Sequence, residues 1–579
     1  MMLRCPTLGI RLIGAVFLAL ICFTLIKVLS TGQQIMPSPP QLLSDPFLQL
    51  PTETSVRVVW FTEFAGSDHT VAYGQNLHLT AVATTTKLSR TREDQDSKIG
   101  QQTQESQYKE PTIRNIWRHE VEVTDLSPGD RVPYCVTSVR EDSKVVSSAQ
   151  FTLTPKPPSG VPLKILLTSD HQLKPMTAAN LQKVVETIGQ VDAVFFAGDL
   201  VNVPDRASEW FDDNRGGALF PCLQGRASYE LEKNGVKTSY SGGALIQHAP
   251  LFTTIGNHEV MGRFNRASLN DEFDDSIPRA VAQQSELSAA VLKNNSFNTD
   301  TYEEIFTLPE SKQGGKTYYS STFGDIRLVV LYATNAWRTP KLDGRAKGKY
   351  QERQQDLHTP NRWGYGQHIF EEISRGSAQY TWLEQELNSP EFKQAKYKIV
   401  MVHHPLHSLG DNIVPAYTNP VQIVERQDGN ITAVRYEYPK QADYLVRDVL
   451  PLLEAAHVQL VFYGHSHLWN RFVSPNGMHF LETSNVGNSY GAAIGSNKRP
   501  VPLSKQDDYA ATGNPNGLEP VVPTIAPLLN ADGQPMPYIA SNDITVFSVF
   551  DTETATVSSY RFDTREPDSK VVKFDQFKL

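Results

Sequence analysis

The rhythm of apolar and polar positions changes near residue 160. Before it, short strand-like runs dominate. Residues 55–61 (SVRVVWF) and 71–73 are β-rich, 119–123 (HEVEV) alternates with period two, and 134–139 and 151–153 follow. A turn signal at 125–129 (DLSPG) separates two of them. Short strands at this spacing predict an all-β sandwich over residues 45–154. Residues 84–111 hold almost no apolar side chains and are expected to be a long exposed loop or partly disordered insertion. Residues 155–162 (PKPPSGVP) read as a semi-rigid linker, and 31–44, with Pro37, Pro39 and Pro40, as a tether.

Beyond the linker, continuous apolar runs alternate with helical spacing. The runs are 164–168 (KILLT), 193–197 (AVFFA), 250–255, 397–402 (YKIVMV) and 458–463 (VQLVFY). Leu181, Val184, Val185 and Ile188 share one face of a helix that Thr177 would cap, and further helices are predicted around 378–387 and 442–456. This strand–helix alternation predicts an α/β region, 163–579, with a mostly parallel core. Strands are also expected at 325–332 and 544–552. Long irregular insertions fall at 265–301 and 335–367, and 488–540 is loop-like.

The N-terminus has a different character. Arg4 and Arg11 precede an apolar run of 15 residues, 12–26, closed by Lys27. A spanning helix needs about 20 apolar residues and a signal peptide about 7–15. Residues 1–30 are therefore expected to be a signal peptide or an uncleaved signal anchor, with 12–29 as the candidate membrane attachment. Either predicts export: periplasmic, secreted or membrane-held with the α/β region outside the cytoplasm.

Composition narrows the classes. A chain of 579 residues, 40% apolar and 20% charged, is globular and long enough for two or three domains. A net charge of -9 argues against a broad nucleic-acid-binding surface. Four Cys cannot build a disulfide scaffold, and Cys135 and Cys222, in different expected domains, are expected to stay unpaired.

The chemistry lies at the strand ends. Five apolar runs end in Asp170 and Gln172, in Asp199, in Asn257 and His258, in His403 and His404, and in His465 and His467. In an open α/β sheet, ligands bind beyond the carboxyl ends of the strands. Carboxylates, an amide and imidazoles would thus meet in one crevice, a mixed set suited to Zn, Mn or Fe rather than Ca. Taken singly these are ordinary loop polars or core histidines. Their order along the chain, each after an apolar strand, makes them a site.

This constellation resembles the calcineurin-like metallophosphoesterase family over about residues 163–486. With the preceding β region, which resembles a fibronectin-type module, it looks like the purple-acid-phosphatase branch. The resemblance implies a four-layer β-sandwich flanked by helices, preceded by an all-β sandwich. It implies two metal ions (Fe, Zn or Mn) and hydrolysis of small phosphomonoesters by a metal-activated hydroxide. Carried over by position, Asp170 and His467 would bind one metal, Asp199 would bridge both, and Asn257, His403 and His465 would bind the other. His258, the candidate catalytic residue, would stay off the metals and face the phosphate as an acid or charge stabiliser. Gln172, His171 and His404 are candidate further ligands or supports.

Two positions depart from the family pattern. The purple branch has a Tyr ligand three residues after the bridging Asp, where this chain has Asn202. The residue two after the first Asp is Gln172 rather than His or Gly. His407 is expected at the rim of the site, and Arg338, Arg362 and Trp363 in ordinary exposed loops. The sequences at 294–296 and 430–432 are glycosylation sequons. The rival readings are a phosphodiesterase or nucleotidase of the same fold, an inactive surface-binding protein, and a lactamase-type hydrolase. The last expects an H-x-H-x-D-H motif, which this chain lacks.

Overall fold

The computed structural model describes residues 42–100, 108–262, 267–274, 288, 291, 298–336, 349–360, 363–410, 412, 416–499, 501 and 509–579. The expected targeting segment, the sequon at 294–296, Arg338 and Arg362 lie outside the described residues. Among the described residues, no helix is long and apolar enough to cross a membrane.

The N-terminal region is two antiparallel sheets. One runs in the order Phe47–Gln49, Val56–Thr62, Trp117–Val123, Thr84–Lys87, and the other is built on Val132–Val139. Val56, Val58 and Trp60 point into the space between the sheets with Val71, Val121, Tyr134 and Val136. Their neighbours Val59 and Phe61 face the other way, into the core of the α/β region. Phe61 packs 5.0 Å from Phe211 and 5.5 Å from Phe220, centroid to centroid. A strand buried on both faces reads as an unbroken apolar run, which is why SVRVVWF does not alternate.

The α/β region holds two larger sheets. In the first, Lys164–Thr168 lies parallel to Ala193–Phe196, and that strand parallel to Leu251–Thr253. On its other side Lys164–Thr168 pairs antiparallel with Ile544–Asp551, followed by Thr556–Asp563 and Val572–Lys578. In the second, Ile326–Val330, Tyr397–Met401, Leu460–Tyr463 and His479–Thr483 are parallel, with antiparallel strands at both edges. The core is therefore mixed, not mostly parallel. The strands that feed the site all lie in parallel pairs, as do Ile326–Val330 and His479–Thr483.

The two sheets pack face to face with helices outside. Leu328, Ile399, Met401, Leu460 and Phe462 face the shared core together with Ile165 and Leu167. The alternate positions Val329, Val400, Val461 and Tyr463 face a second core closed by Leu383 and Leu387 of helix Ala378–Leu387 and by Leu453. Ser377 caps that helix, accepting from the Tyr380 N–H. Helix Thr177–Ile188 covers the first sheet, but Thr177 is not its cap: its hydroxyl donates to the His171 carbonyl.

The expectation for residues 84–111 is overturned where they are described. Residues 84–87 form a strand, and Arg90, Arg92, Glu93 and Asp94 are buried. Arg92 reaches Asp205 at 2.8 Å and Glu272 at 2.5 Å. Arg206 holds Asp94 through two nitrogens, at 3.2 and 3.0 Å. The strand at 84–87 is exposed, but the charges of 90–94 are buried because they pair with residues over a hundred positions away. Leu42 and Ser44, at the end of the expected tether, are also buried. Cys135 and Cys222 are both free thiols.

Candidate metal centre

Each site strand stops two to four residues before its first polar ligand, and the backbone then turns sharply. Asp170 (φ 57°), Gln172 (φ 39°), Asp199 (φ 57°), His465 (φ 80°) and His467 (φ 55°) all sit in the left-handed region. Side-chain-bearing residues avoid it, at a cost of order 1–3 kcal/mol each, and such strain collects where a structure needs particular side-chain directions. Glycines let the turns converge. A Cβ on Gly464 would lie 2.0 Å from Ser169 Oγ and 2.2 Å from Asp170 Oδ2, and one on Gly256 would lie 2.2 Å from Asp199 Oδ1.

Two groups of buried donors result: Asp170, Asp199 and His467, and His403, His404 and His465. Asn257 Oδ1 lies 3.1 Å from His403 Nε2 and 2.9 Å from His465 Nδ1. Asp199 Oδ2 lies 3.3 Å from His403 Nε2, and Asp170 Oδ1 lies 3.3 Å from His467 Nε2. Asp199 thus stands between the groups. Gln172 donates to Asp199 Oδ2 at 3.0 Å, while its own buried Oε1 has no partner.

Supporting groups fix the rings. His403 Nδ1 bonds the Ala197 carbonyl at 2.8 Å, and His467 Nδ1 bonds the Asn488 carbonyl at 2.7 Å. These contacts leave each Nε2 to face the carboxylates, the arrangement metal-ligating imidazoles require. Glu259 accepts from the backbone N–H of Asp199, Leu200 and Gly256 at 2.7–2.9 Å, tying two of the turns together. Glu482 accepts from Ser466 N at 2.8 Å beneath the His465–His467 turn. Sequence reasoning missed both acids. Glu259 carries a signal, since it directly follows Asn257 and His258. Glu482 and Asn488 carry none.

The remaining candidates separate. The His258 N–H donates to Asp199 Oδ1 at 2.9 Å, and its ring Nδ1 meets the Asn202 carbonyl at 2.7 Å. Its ring also stacks on Phe273. Asn202 itself donates to the Gln172 carbonyl at 2.7 Å. His171 is a correction: its Nε2 meets Thr168 Oγ1 and its ring packs against Phe196, so it belongs to the core. His404 lies with His403 and His465, its ring 3.8 Å from that of His465. His407 is buried against Phe480 and bonded to Asn514. Trp363 is buried rather than exposed, its indole N–H donating to the Asp356 carbonyl.

The electrostatics favour positive charge at Asp199. Burial disfavours ionisation of both partners. Even so, the His403 ring drives the Asp199 carboxyl well below the usual carboxylate range, and Asp199 raises the His403 pKa to about 10. Burial, helped by the neighbouring histidines, pushes His465 down. Burial and the Asp199 charge together raise Glu259 to about 8.

The donors fit cations. Carboxylate oxygens, imidazole nitrogens and an amide oxygen form a set suited to borderline first-row metals. Contacts of 2.9–3.3 Å between donors are what a shared cation at about 2.0–2.2 Å from each would impose.

The model of the calcineurin-like phosphoesterase family matches residues 163–468, more than half of the chain, and the chain belongs to that family. It is therefore a metal-dependent phosphoesterase, a hydrolase of phosphoric esters, and the family implies a dinuclear metal centre. Among solved structures, the purple acid phosphatase PPD1 from yellow lupin seeds is similar at 13% identity and a TM-score of 0.51, over 92% of this chain and 73% of that one. A structure of PhoD is similar at 12% identity and a TM-score of 0.41, over 93% and 92%. No curated protein matches the chain.

Proposed function

We propose that the protein is an exported phosphomonoesterase with a two-metal centre. One cation would be held by Asp170, Asp199, His467 and the Gln172 amide oxygen, the other by Asp199, Asn257, His403 and His465. The observation that carries this reading is the position of Asp199 between two buried donor groups. When bound, the cations supply an activated water and neutralise charge on the phosphoryl oxygens.

The chain's own residues do the rest. Asp199 offsets repulsion between two close dications, and Glu259 holds its turn in place. The Asn202 carbonyl accepts a hydrogen bond from His258 Nδ1–H, which leaves Nε2 as the ring atom that carries or releases a proton at the leaving oxygen. Burial lowers the His258 pKa, so the ring is held neutral and gains its second proton only in more acid solution than a free histidine does. Asn202 in place of a phenolate ligand supports a centre without iron–tyrosinate colour. Export is supported by Arg4, Arg11 and the apolar run at 12–26.

Metal analysis of the purified protein, combined with a panel of phosphate monoesters and diesters, tests the proposal. Two ions per chain and preferential monoester hydrolysis are expected. Preferential diester hydrolysis would replace the monoesterase reading, and a metal-free, inactive protein would leave a binding role.

A further inference from the structure

A pocket lies against His404, whose donor atoms fall within 4.8 Å of those of His403 and His465. Its lining includes Asn335, Gln367, His404, Asn412 and Tyr417. Four buried polar atoms of these side chains have no partner: both ring nitrogens of His404, Asn412 Oδ1 and Gln367 Oε1. Buried polar groups are nearly always satisfied, because an unmet one forfeits its hydration without return. Several on the wall of one pocket mark a place where a ligand completes the bonding.

The orientation of these groups indicates which ligand. Asn412 donates its amide to the His465 carbonyl at 2.7 Å, so the oxygen is the atom left free. Gln367 likewise donates to Asn335 and keeps Oε1 unused. A neutral imidazole offers one acceptor and one donor. The free set is neutral and rich in acceptors. The pocket's carboxylate, Asp443, is occupied by the N–H groups of Tyr417, Leu445 and Val446. Lys440 is the only cation among its described lining residues. A second phosphate would find mostly acceptors here, and a hydrocarbon would strand them. Hydroxyl groups donate to acceptors and accept from His404.

We infer that this pocket binds the hydroxyl groups of the alcohol released from the ester, so that His404, Asn412 and Gln367 select phosphomonoesters of small polyols. The inference rests on the phosphomonoesterase reading and names its substrate class. His404 then acts on specificity, not as a metal ligand.

The test compares glycerol 3-phosphate with propyl phosphate, which has the same carbon skeleton without the free hydroxyls. Wild-type enzyme should prefer the former by about tenfold or more in kcat/KM, since sites built to bond a hydroxyl reject analogues lacking it. Asn412→Leu and Gln367→Met should each bring the ratio toward one with metal content intact. A wild-type ratio near one, or a ratio that neither variant moves, overturns the inference. Loss of a metal ion in His404→Phe also overturns it, because His404 would then be a ligand. Binding of glycerol by saturation-transfer NMR keeps the pocket testable if neither ester is cleaved. Failure of cleavage would then count against the phosphomonoesterase reading. A glycerol signal in wild type that the variants abolish would uphold the pocket, and its absence would refute it.

Discussion

Replacing Gly464 with alanine would insert a methyl group where the first sheet and the His465–His467 turn meet. The new Cβ would stand 2.2 Å from Asp170 Oδ2 and 2.0 Å from Ser169 Oγ. Ordinary contact requires the carboxylate to retreat by about 1 Å, whereas metal–ligand distances tolerate about 0.2 Å. Asp170 is also held by the His465 N–H at 3.0–3.1 Å, so the displacement passes into the turn carrying two further ligands. Overpacking of this kind costs about 1–3 kcal/mol in stability. Disturbed ligand support costs about 10–100-fold in metal affinity, and a 1 Å misplacement about 100-fold in rate. Competition with a chelating dye measures the affinity, and phosphate release measures the rate. Wild-type affinity together with wild-type kcat in Gly464→Ala would show that Asp170 is not a ligand.

His258→Ala should keep both metals and lose about 10²–10⁴-fold in kcat, read by metal analysis beside steady-state kinetics; loss of a metal would make His258 a ligand. His171→Phe should leave metal content unchanged and activity within a few-fold, because that ring faces Phe196. The enzyme should be colourless, with no intense visible band, since Asn202 supplies no phenolate. Acid should destabilise the N-terminal sandwich through His119, whose ring stacks 3.7 Å from His69 and bonds Thr62 and Thr85. Burial, then the charge of His69, lowers its pKa to about 3. The unfolded chain, with a histidine pKa near 6.5, binds more protons between these values. That stability is complete above pH about 6.5 and falls toward pH 3, by at most about 1.4 kcal/mol per pH unit. Melting temperature against pH should be less steep in His119→Gln than in wild type.

The site residues were legible because each follows an apolar strand that must be buried. Periodicity locates KILLT, AVFFA, YKIVMV and VQLVFY, and the residue types after them announce metal chemistry. What sequence could not show is how the strand ends close on one another. Glu482 is a lone acid on a later strand, and its place under Ser466 depends on sheet order. The antiparallel addition of Ile544–Asp551 to Lys164–Thr168 joins residues nearly 400 apart, beyond any local pattern. The same blindness to distance explains residues 90–94. A run of Arg, Glu and Asp carries the same signal whether it meets water or meets Asp205, Arg206 and Glu272. By sequence, His171 is a candidate ligand or support only because it is a histidine beside Asp170. Left-handed turns at Asp170 and Gln172 send the intervening ring into the core.

The central claim is that Asp199 joins two metal sites into one centre. Metal stoichiometry by mass spectrometry on folded wild-type and Asp199→Ala protein, with phosphate release recorded on the same samples, addresses it most directly. The carboxylate's two oxygens and its charge are lost together in the variant, while the apolar Ala193–Phe196 strand should still pack. The expected result is two ions per wild-type chain, weakened retention of both in Asp199→Ala, and no measurable hydrolysis by the variant. Two ions retained in the variant, with activity within a few-fold of wild type, would contradict the account.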